Sequence, residues 1–294
     1  MAYIGGYELV EQLPHADPMV KAFDRTSGRY VALKEQPGLD QTKLQFDAMI
    51  LGMLDHPNIA RIFSTTAEDG LWYLVQEWVD GADLGAIRDQ AGRLTVPQAV
   101  TAVRGALRGL AFAHNRQIVH GDVSLRHILV STNGESKLID FGVAVPDQPS
   151  HRYRSPEVLA GAPATKRSDV FSTAAVLADL LGVRPGRGHF DLSGIDRSIA
   201  GVMASALSEN PEVRQAAGAQ LLEDLEGAAD RSLGSDWPAD AALSQLACSV
   251  IAERTAPTEP PSAAAEIGNR PSGPRHGLKN SSPRGRRRWW RRGY

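Results

Sequence analysis

The chain has 294 residues, of which 42% are apolar and 22% charged, enough to bury a sizeable core and too apolar for wholesale disorder. A single cysteine, Cys248, excludes an intrachain disulfide and a cysteine-rich metal site. The net charge of -2 averages two opposite parts: nine of the 32 Lys and Arg lie in 270–294 with no acid, leaving 23 basic against 34 acidic residues in 1–269. Such asymmetry points to a tail with its own partner.

In chain order, residues 7–36 alternate and are β-rich, with the clearest strand at Tyr30–Lys34 after the turn signal Thr26-Ser27-Gly28. A helix is predicted over 41–54, with apolar Leu44, Ile50, Leu51 and Leu54 after a cap at Asp40. Leu71–Trp78 reads as a strand. Val96–His114 is the strongest helix, because Val96, Val100, Val103, Leu107, Leu110 and Ala111 keep a spacing of three to four. Short β-like pieces follow at Ile118–His120, Ile128–Ser131 and Lys137–Ile139, then helices near 168–182, 198–208 and 216–229. The order predicts an α+β fold of two lobes, a β-rich one over about 7–78 and a mostly helical one over about 82–228. A further amphipathic helix is expected in 236–255, carrying Leu243, Leu246, Ala247, Val250 and Ile251. Pro and Ser dominate after it, so disorder is expected over 256–294. The longest apolar runs, Ala174–Ala178 and Leu246–Ala252, fall far short of the ~18 residues of a membrane span. The opening MAYIGGYELVEQ lacks the basic and apolar regions of a secretory signal, so a cytoplasmic location is expected.

Several motifs stand in a fixed order: Val31-Ala32-Leu33-Lys34, His56-Pro57-Asn58-Ile59, Gln76-Glu77-Trp78-Val79-Asp80-Gly81, His120-Gly121-Asp122, Asp140-Phe141-Gly142, Ser155-Pro156-Glu157, Ser168-Asp169-Val170 and Asn210-Pro211-Glu212-Val213-Arg214. A lone Asp-Phe-Gly is a worthless signal; the joint order is specific. Together they resemble the bacterial serine/threonine protein kinases, which implies a two-lobed protein kinase-like fold over 7–228. The resemblance places Lys34 on nucleotide phosphates with Asp47 as its acidic partner, Met19, Ala32 and Leu129 around adenine, and Glu77 at the hinge. It makes Asp122 the candidate base that orients an acceptor hydroxyl and Asp140 the candidate Mg²⁺ ligand. His120, Phe141, Glu157, Asp169 and Arg214 take structural roles, with a hydrophobic stack through Leu51, Ile62, His120 and Phe141.

The departures from that pattern decide the expected function. Phosphoryl transfer needs phosphates held, charge neutralised and a hydroxyl placed in line. A phosphate-covering loop needs glycines so that backbone N–H groups come close, but Leu13–Met19 has none, two prolines and Asp17. The family's arginine is Gly121, its lysine is Ser124 and its metal-binding asparagine is His127. Mg²⁺ prefers an octahedron of oxygens, which makes His127 a poor replacement. The stretch Asp140–Glu157 holds no threonine, and Ser150, Tyr153 and Ser155 are its only hydroxyls. With Gly121 unable to read a phosphate there, control by that route is not expected.

The resemblance therefore points to a pseudokinase, a regulatory or scaffold protein that binds a regulatory partner or an active kinase, with ATP and Mg²⁺ implied by the family and opposed by the altered loops. The alternative is an active or weakly active ATP-dependent kinase using Lys34, Asp122 and Asp140. A small-molecule phosphotransferase shares the His120-Gly121-Asp122 loop and ranks third, since it too needs an asparagine at position 127. In the tail, Arg286, Arg287, Arg288, Trp289, Trp290, Arg291 and Arg292 interleave cations with indoles, which suits an anionic membrane surface. A nucleic-acid contact ranks below that.

Overall fold

The computed structural model describes residues 2–12, 19–38, 41–141, 152–183, 185–186 and 189–255. The first lobe is an antiparallel sheet of β1 (Tyr3–Ile4), β2 (Tyr7–Gln12), β3 (Met19–Asp24), β4 (Arg29–Glu35), β5 (Ile62–Glu68) and β6 (Leu71–Glu77), in the order β1-β2-β3-β4-β6-β5. Alternation along β4 sorts its side chains: Val31 and Leu33 join Ala22, Tyr73 and Val75 in a buried cluster, while Ala32 and Lys34 take the opposite face. Helix α1 (Gln41–Leu51) follows β4, three residues shorter than its pattern suggests.

The second lobe begins with β7 (Gly81–Asp83) and α2 (Leu84–Ala91), an element the sequence pattern did not disclose. Asp83 caps α2 by accepting the Ala86 N–H at 2.9 Å. Helix α3 (Val96–Asn115) starts with a reciprocal capping box between Thr95 and Gln98. A single 3₁₀ turn at Leu125–His127 leads into β8 (Ile128–Ser131) and β9 (Ser136–Leu138), which form a small sheet with β7. Ile118–His120, expected as a strand, pairs with no strand; its backbone is held by other means described below.

Then come α4 (Pro156–Leu159), α5 (Lys166–Leu180), the two-residue strands β10 (Pro185–Gly186) and β11 (His189–Phe190), α6 (Arg197–Ala206), α7 (Gly218–Leu233) and α8 (Asp240–Thr255). Every residue of α5 from Ser168 to Leu180 is buried, so α5 is packed on all sides and forms the axis of this lobe. Helix α8 is part of the same body. Leu243, Ala247 and Val250 are buried in the main core, Ser244 Oγ donates to the Thr132 carbonyl, and Arg254 meets Asp83 at 3.3 Å. The compact unit therefore takes in α8, the further helix expected after residue 228, as well as the residues before it. No described helix is long and apolar enough to cross a membrane. The segment 256–294, with its Arg/Trp run, lies outside the described residues.

Candidate active site

The loop carrying Asp122 is fixed from below by one buried carboxylate. Asp169, in the first turn of α5, accepts the backbone N–H groups of His120 at 2.8 Å and Gly121 at 2.9 Å. Its Oδ2 also lies 2.9 Å from His114 Nε2. The Gly218 N–H donates to His114 Nδ1 at 3.1 Å, so the His114 proton is on Nε2 and Asp169 accepts three bonds. His120 follows the same logic. The Asp122 N–H donates to its Nδ1 at 3.2 Å, and its Nε2–H donates to the Ile139 carbonyl at 2.9 Å. The ring is thus neutral, and burial pushes its pKa down despite the nearby Asp169 charge. Phe141 packs on His120 with ring centroids 4.5 Å apart, and Leu51, Ile62 and Phe141 belong to one apolar cluster.

Above this base the side chains of Lys34, His127 and Arg154 converge on the two site carboxylates. Lys34 Nζ donates to Asp140 Oδ2 at 2.7 Å in a buried pair. Burial alone would raise the Asp140 carboxyl, but the charges of Lys34 and His127 and the Lys34 hydrogen bond outweigh it, so the group stays below the usual carboxylate range. Asp140 adopts φ +64°, a left-handed backbone that costs an L-residue roughly 1–2 kcal/mol. His127 lies between the carboxylates, with Nδ1 2.6 Å from the Asp122 carbonyl and 3.5 Å from Asp122 Oδ2, and Nε2 3.7 Å from Asp140 Oδ2. Arg154 Nε reaches to 3.6 Å from Asp122 Oδ1. Asp122 Oδ1 and Asp140 Oδ1 are both buried without a hydrogen-bond partner.

Asp47, expected opposite Lys34, is half-buried on α1 and makes no ion pair among the described residues. Its side chain is one methylene shorter than the glutamate of the family pattern, and Lys34 is engaged by Asp140 instead. Ser124 is buried and accepts the His127 N–H at its carbonyl, 3.1 Å away, so it shapes the 3₁₀ turn. On the nucleotide side, Met19 stands opposite Lys34 in the β3–β4 register, and therefore shares a face with Ala32 and Lys34. Leu129 packs on Ala60, Val79 and Ile139. Glu77 ties the lobes together: one carboxylate oxygen pairs with Lys137 of β9 at 2.8 Å, and the other accepts the Arg61 N–H at 3.1 Å.

The end of the segment that follows Asp140 is anchored by polar groups. Arg214 grips Glu157 through two bonds of 2.7 and 2.9 Å and also reaches the Ser208 carbonyl at 2.8 Å. Tyr153 donates to Asp179 Oδ2 at 2.7 Å, and burial with that bond pushes its phenol pKa far up. Tyr153 and Ser155 are both buried, so neither presents its hydroxyl to a modifying enzyme. Ser150 and the glycine-free stretch 13–18 lie outside the described residues.

A strand-borne lysine, a loop aspartate on a buried carboxylate and an Asp-Phe pair stacked on its histidine are the parts of a phosphotransfer fold. A model of the protein kinase domain matches residues 18–223, and the chain belongs to the protein kinase family. It is 33% identical over 181 residues to serine/threonine-protein kinase PrkC of Bacillus subtilis, covering 58% of this chain and 28% of that protein. It is 31% identical over 214 residues to serine/threonine-protein kinase PknB of Mycobacterium leprae, covering 61% and 34%. The chain thus spans about a third or less of the length of these two relatives. In fold it is similar to Rad53 1-466 in complex with AMP-PNP, with a TM-score of 0.66 at 22% identity over 75% of this chain and 65% of that one. What the chain carries is a serine/threonine protein kinase-like domain.

Such kinases use ATP and Mg²⁺ in general. At the metal position the orphaned Asp140 Oδ1 suits a cation, whereas His127 offers nitrogen where Mg²⁺ demands oxygen. The donor set does not fit Mg²⁺. Two residues central to this geometry escaped the sequence reading. Arg154 precedes Ser155-Pro156-Glu157 and carries no motif of its own, and His114 is one of many helix residues. The position of His114 six residues before His120 was the available signal.

Proposed function

We propose that this chain is a pseudokinase, a regulatory or scaffold protein built on a kinase-like body. The observation that carries this is the state of Asp122. Its carboxylate is 3% exposed and faces Arg154 and His127 at 3.6 and 3.5 Å, so side chains of the chain itself stand where an acceptor hydroxyl and a phosphoryl group would meet. The loss of lysine at Ser124 and of the arginine at Gly121 supports the same reading. The body would bind a regulatory partner or an active kinase. The tail Arg286–Arg292 would hold the protein at an anionic membrane surface on the cytoplasmic side, since each arginine near such a surface contributes about 1 kcal/mol.

A weakly active ATP-dependent kinase is the second reading, favoured by the meeting of Lys34 with Asp140 and by the intact support under Asp122. Thermal shift with ATP, with and without Mg²⁺, combined with labelled phosphate transfer, separates the two. Stabilisation without transfer is the expected result. Transfer that Asp122→Asn abolishes overturns the pseudokinase reading. For the tail, full-length protein should sediment with anionic vesicles and a chain ending at Asn269 should not; equal sedimentation removes the membrane role.

A further inference from the structure

Helix α1 is apolar on two sides. Leu44, Ala48 and Leu51 are its buried residues, at the spacing of an inward helix face. On the outward side, where a surface helix usually carries charge, Phe46 and Met49 are 56% and 62% exposed. Met53, in the turn that ends the helix, is 60% exposed. Among the described residues, no other stretch of eight carries three exposed large apolar side chains. Single exposed apolar residues need no explanation, but a cluster of them marks a contact surface. Beside the cluster lies an open cavity of about 510 Å³, lined by Met49 and Met53, by Ile62 and Phe63 of β5, and by Arg29 and Arg61. That volume is in the range of pockets that take a ligand or an anchoring side chain.

Charge decides what fits there. Both charged side chains of the cavity lining are arginines, and no acid lines it. Arg29 Cζ stands 3.8 Å from the centroid of the Phe63 ring, so this cation caps an apolar surface. Arg61 is half exposed, and its pair with Asp55 spans 3.5 Å between exposed side chains, where water and salt screen it. We propose that this face of α1 and β5 docks an acidic amphipathic helix of a regulatory partner. Its apolar side chains would seat on Phe46, Met49 and Met53, and its carboxylates would meet Arg29 and Arg61. Positions 46, 49 and 53 repeat at intervals of three and four, which makes a ridge that packs along the apolar stripe of another helix. Methionine is unbranched and adapts to what packs on it, and arginine is enriched at protein interfaces. The proposal rests on the partner-binding part of the scaffold reading and gives that partner a place; it does not require that phosphate transfer be lost.

The test uses the full chain and two synthetic amphipathic peptides of one leucine pattern, one with glutamates on its polar face and one with lysines, read by fluorescence anisotropy. The Leu/Glu peptide should bind at least roughly tenfold tighter than the Leu/Lys peptide. Met49→Glu should weaken the Leu/Glu peptide by roughly tenfold or more, and Arg29→Glu combined with Arg61→Glu should reverse the preference. These positions are exposed, so the substitutions spare the core, and Met53→Glu is a second probe if Met49→Glu fails to fold. Equal binding of both peptides, binding of neither, or an affinity unmoved by Met49→Glu and Met53→Glu overturns the proposal. A preference that disappears in a chain ending at Asn269 assigns the acid to the basic tail and overturns it too. So does a dimer in sedimentation velocity that Met49→Glu disperses, since the face then belongs to a second copy. Phosphate transfer read in the same samples bears only on the pseudokinase reading. Transfer with charge-selective binding sinks that reading and leaves the surface standing; neither transfer nor binding does the reverse.

Discussion

Glu157→Gln removes one charge and almost no volume from an ion pair of the second lobe whose arginine is fully buried. Arg214 has a fully buried side chain (0% exposed), and Glu157 is about one-fifth exposed. Burial alone would raise the Glu157 carboxyl, but the Arg214 hydrogen bonds outweigh it and bring the pKa from 4.5 down to about 2. At about 1.4 kcal/mol per pH unit, that shift corresponds to roughly 3 kcal/mol of stability at neutral pH. The sign follows from the depressed folded value. The contribution is complete above the unfolded pKa of 4.5 and is lost as pH falls toward 2. Near pH 3 about 1.5 kcal/mol should remain. In a domain of this size, 3 kcal/mol is a fall of about 6–12 °C in Tm. Urea unfolding of both proteins at pH 7 and near pH 3 measures it. A difference below about 1 kcal/mol at pH 7, or one that does not shrink in acid, would refute the reasoning.

Asp169→Asn keeps the shape but turns donors toward the N–H groups of His120 and Gly121, so a loss of about 3–5 kcal/mol is expected, with faster hydrogen exchange at those two amides; unchanged exchange would show that the loop is held otherwise. Leu243→Ala should cost about 2–5 kcal/mol in urea unfolding because α8 is embedded in the core, and a cost under 1 would make it a peripheral helix. Tyr153→Phe should cost about 1–2 kcal/mol through the lost Asp179 bond, and peptide mass spectrometry after incubation with an active tyrosine kinase should find Tyr153 unmodified in the native protein.

The sequence carried the fold because its signals are local. Strand β4 reads from a run of apolar residues after a turn, α3 from a spacing of three to four over nineteen residues, and the motifs from their order alone. It also named Lys34, Asp122, His127 and Asp140 as one site, and these do converge. What it could not weigh was competition among partners. Lys34 had two candidate carboxylates, 13 and 106 positions away, and reach and burial gave it to Asp140. Helix α2 is hidden in the sequence because its eight residues expose most of one side, and α8 reads only as a further amphipathic helix because its apolar positions do not say what they pack on.

Sequence by itself determined the family, the lobe order and the presence of Gly121, Ser124 and His127 around Asp122, since each is a matter of residue identity at a fixed spacing. Only the tertiary structure decided what surrounds them. Arg154 reaches Asp122 from a segment 32 positions away, and His127 lies between two carboxylates that are 18 apart. Charges brought together by folding interact through a few ångströms of low-dielectric space, and no one-dimensional spacing records that distance.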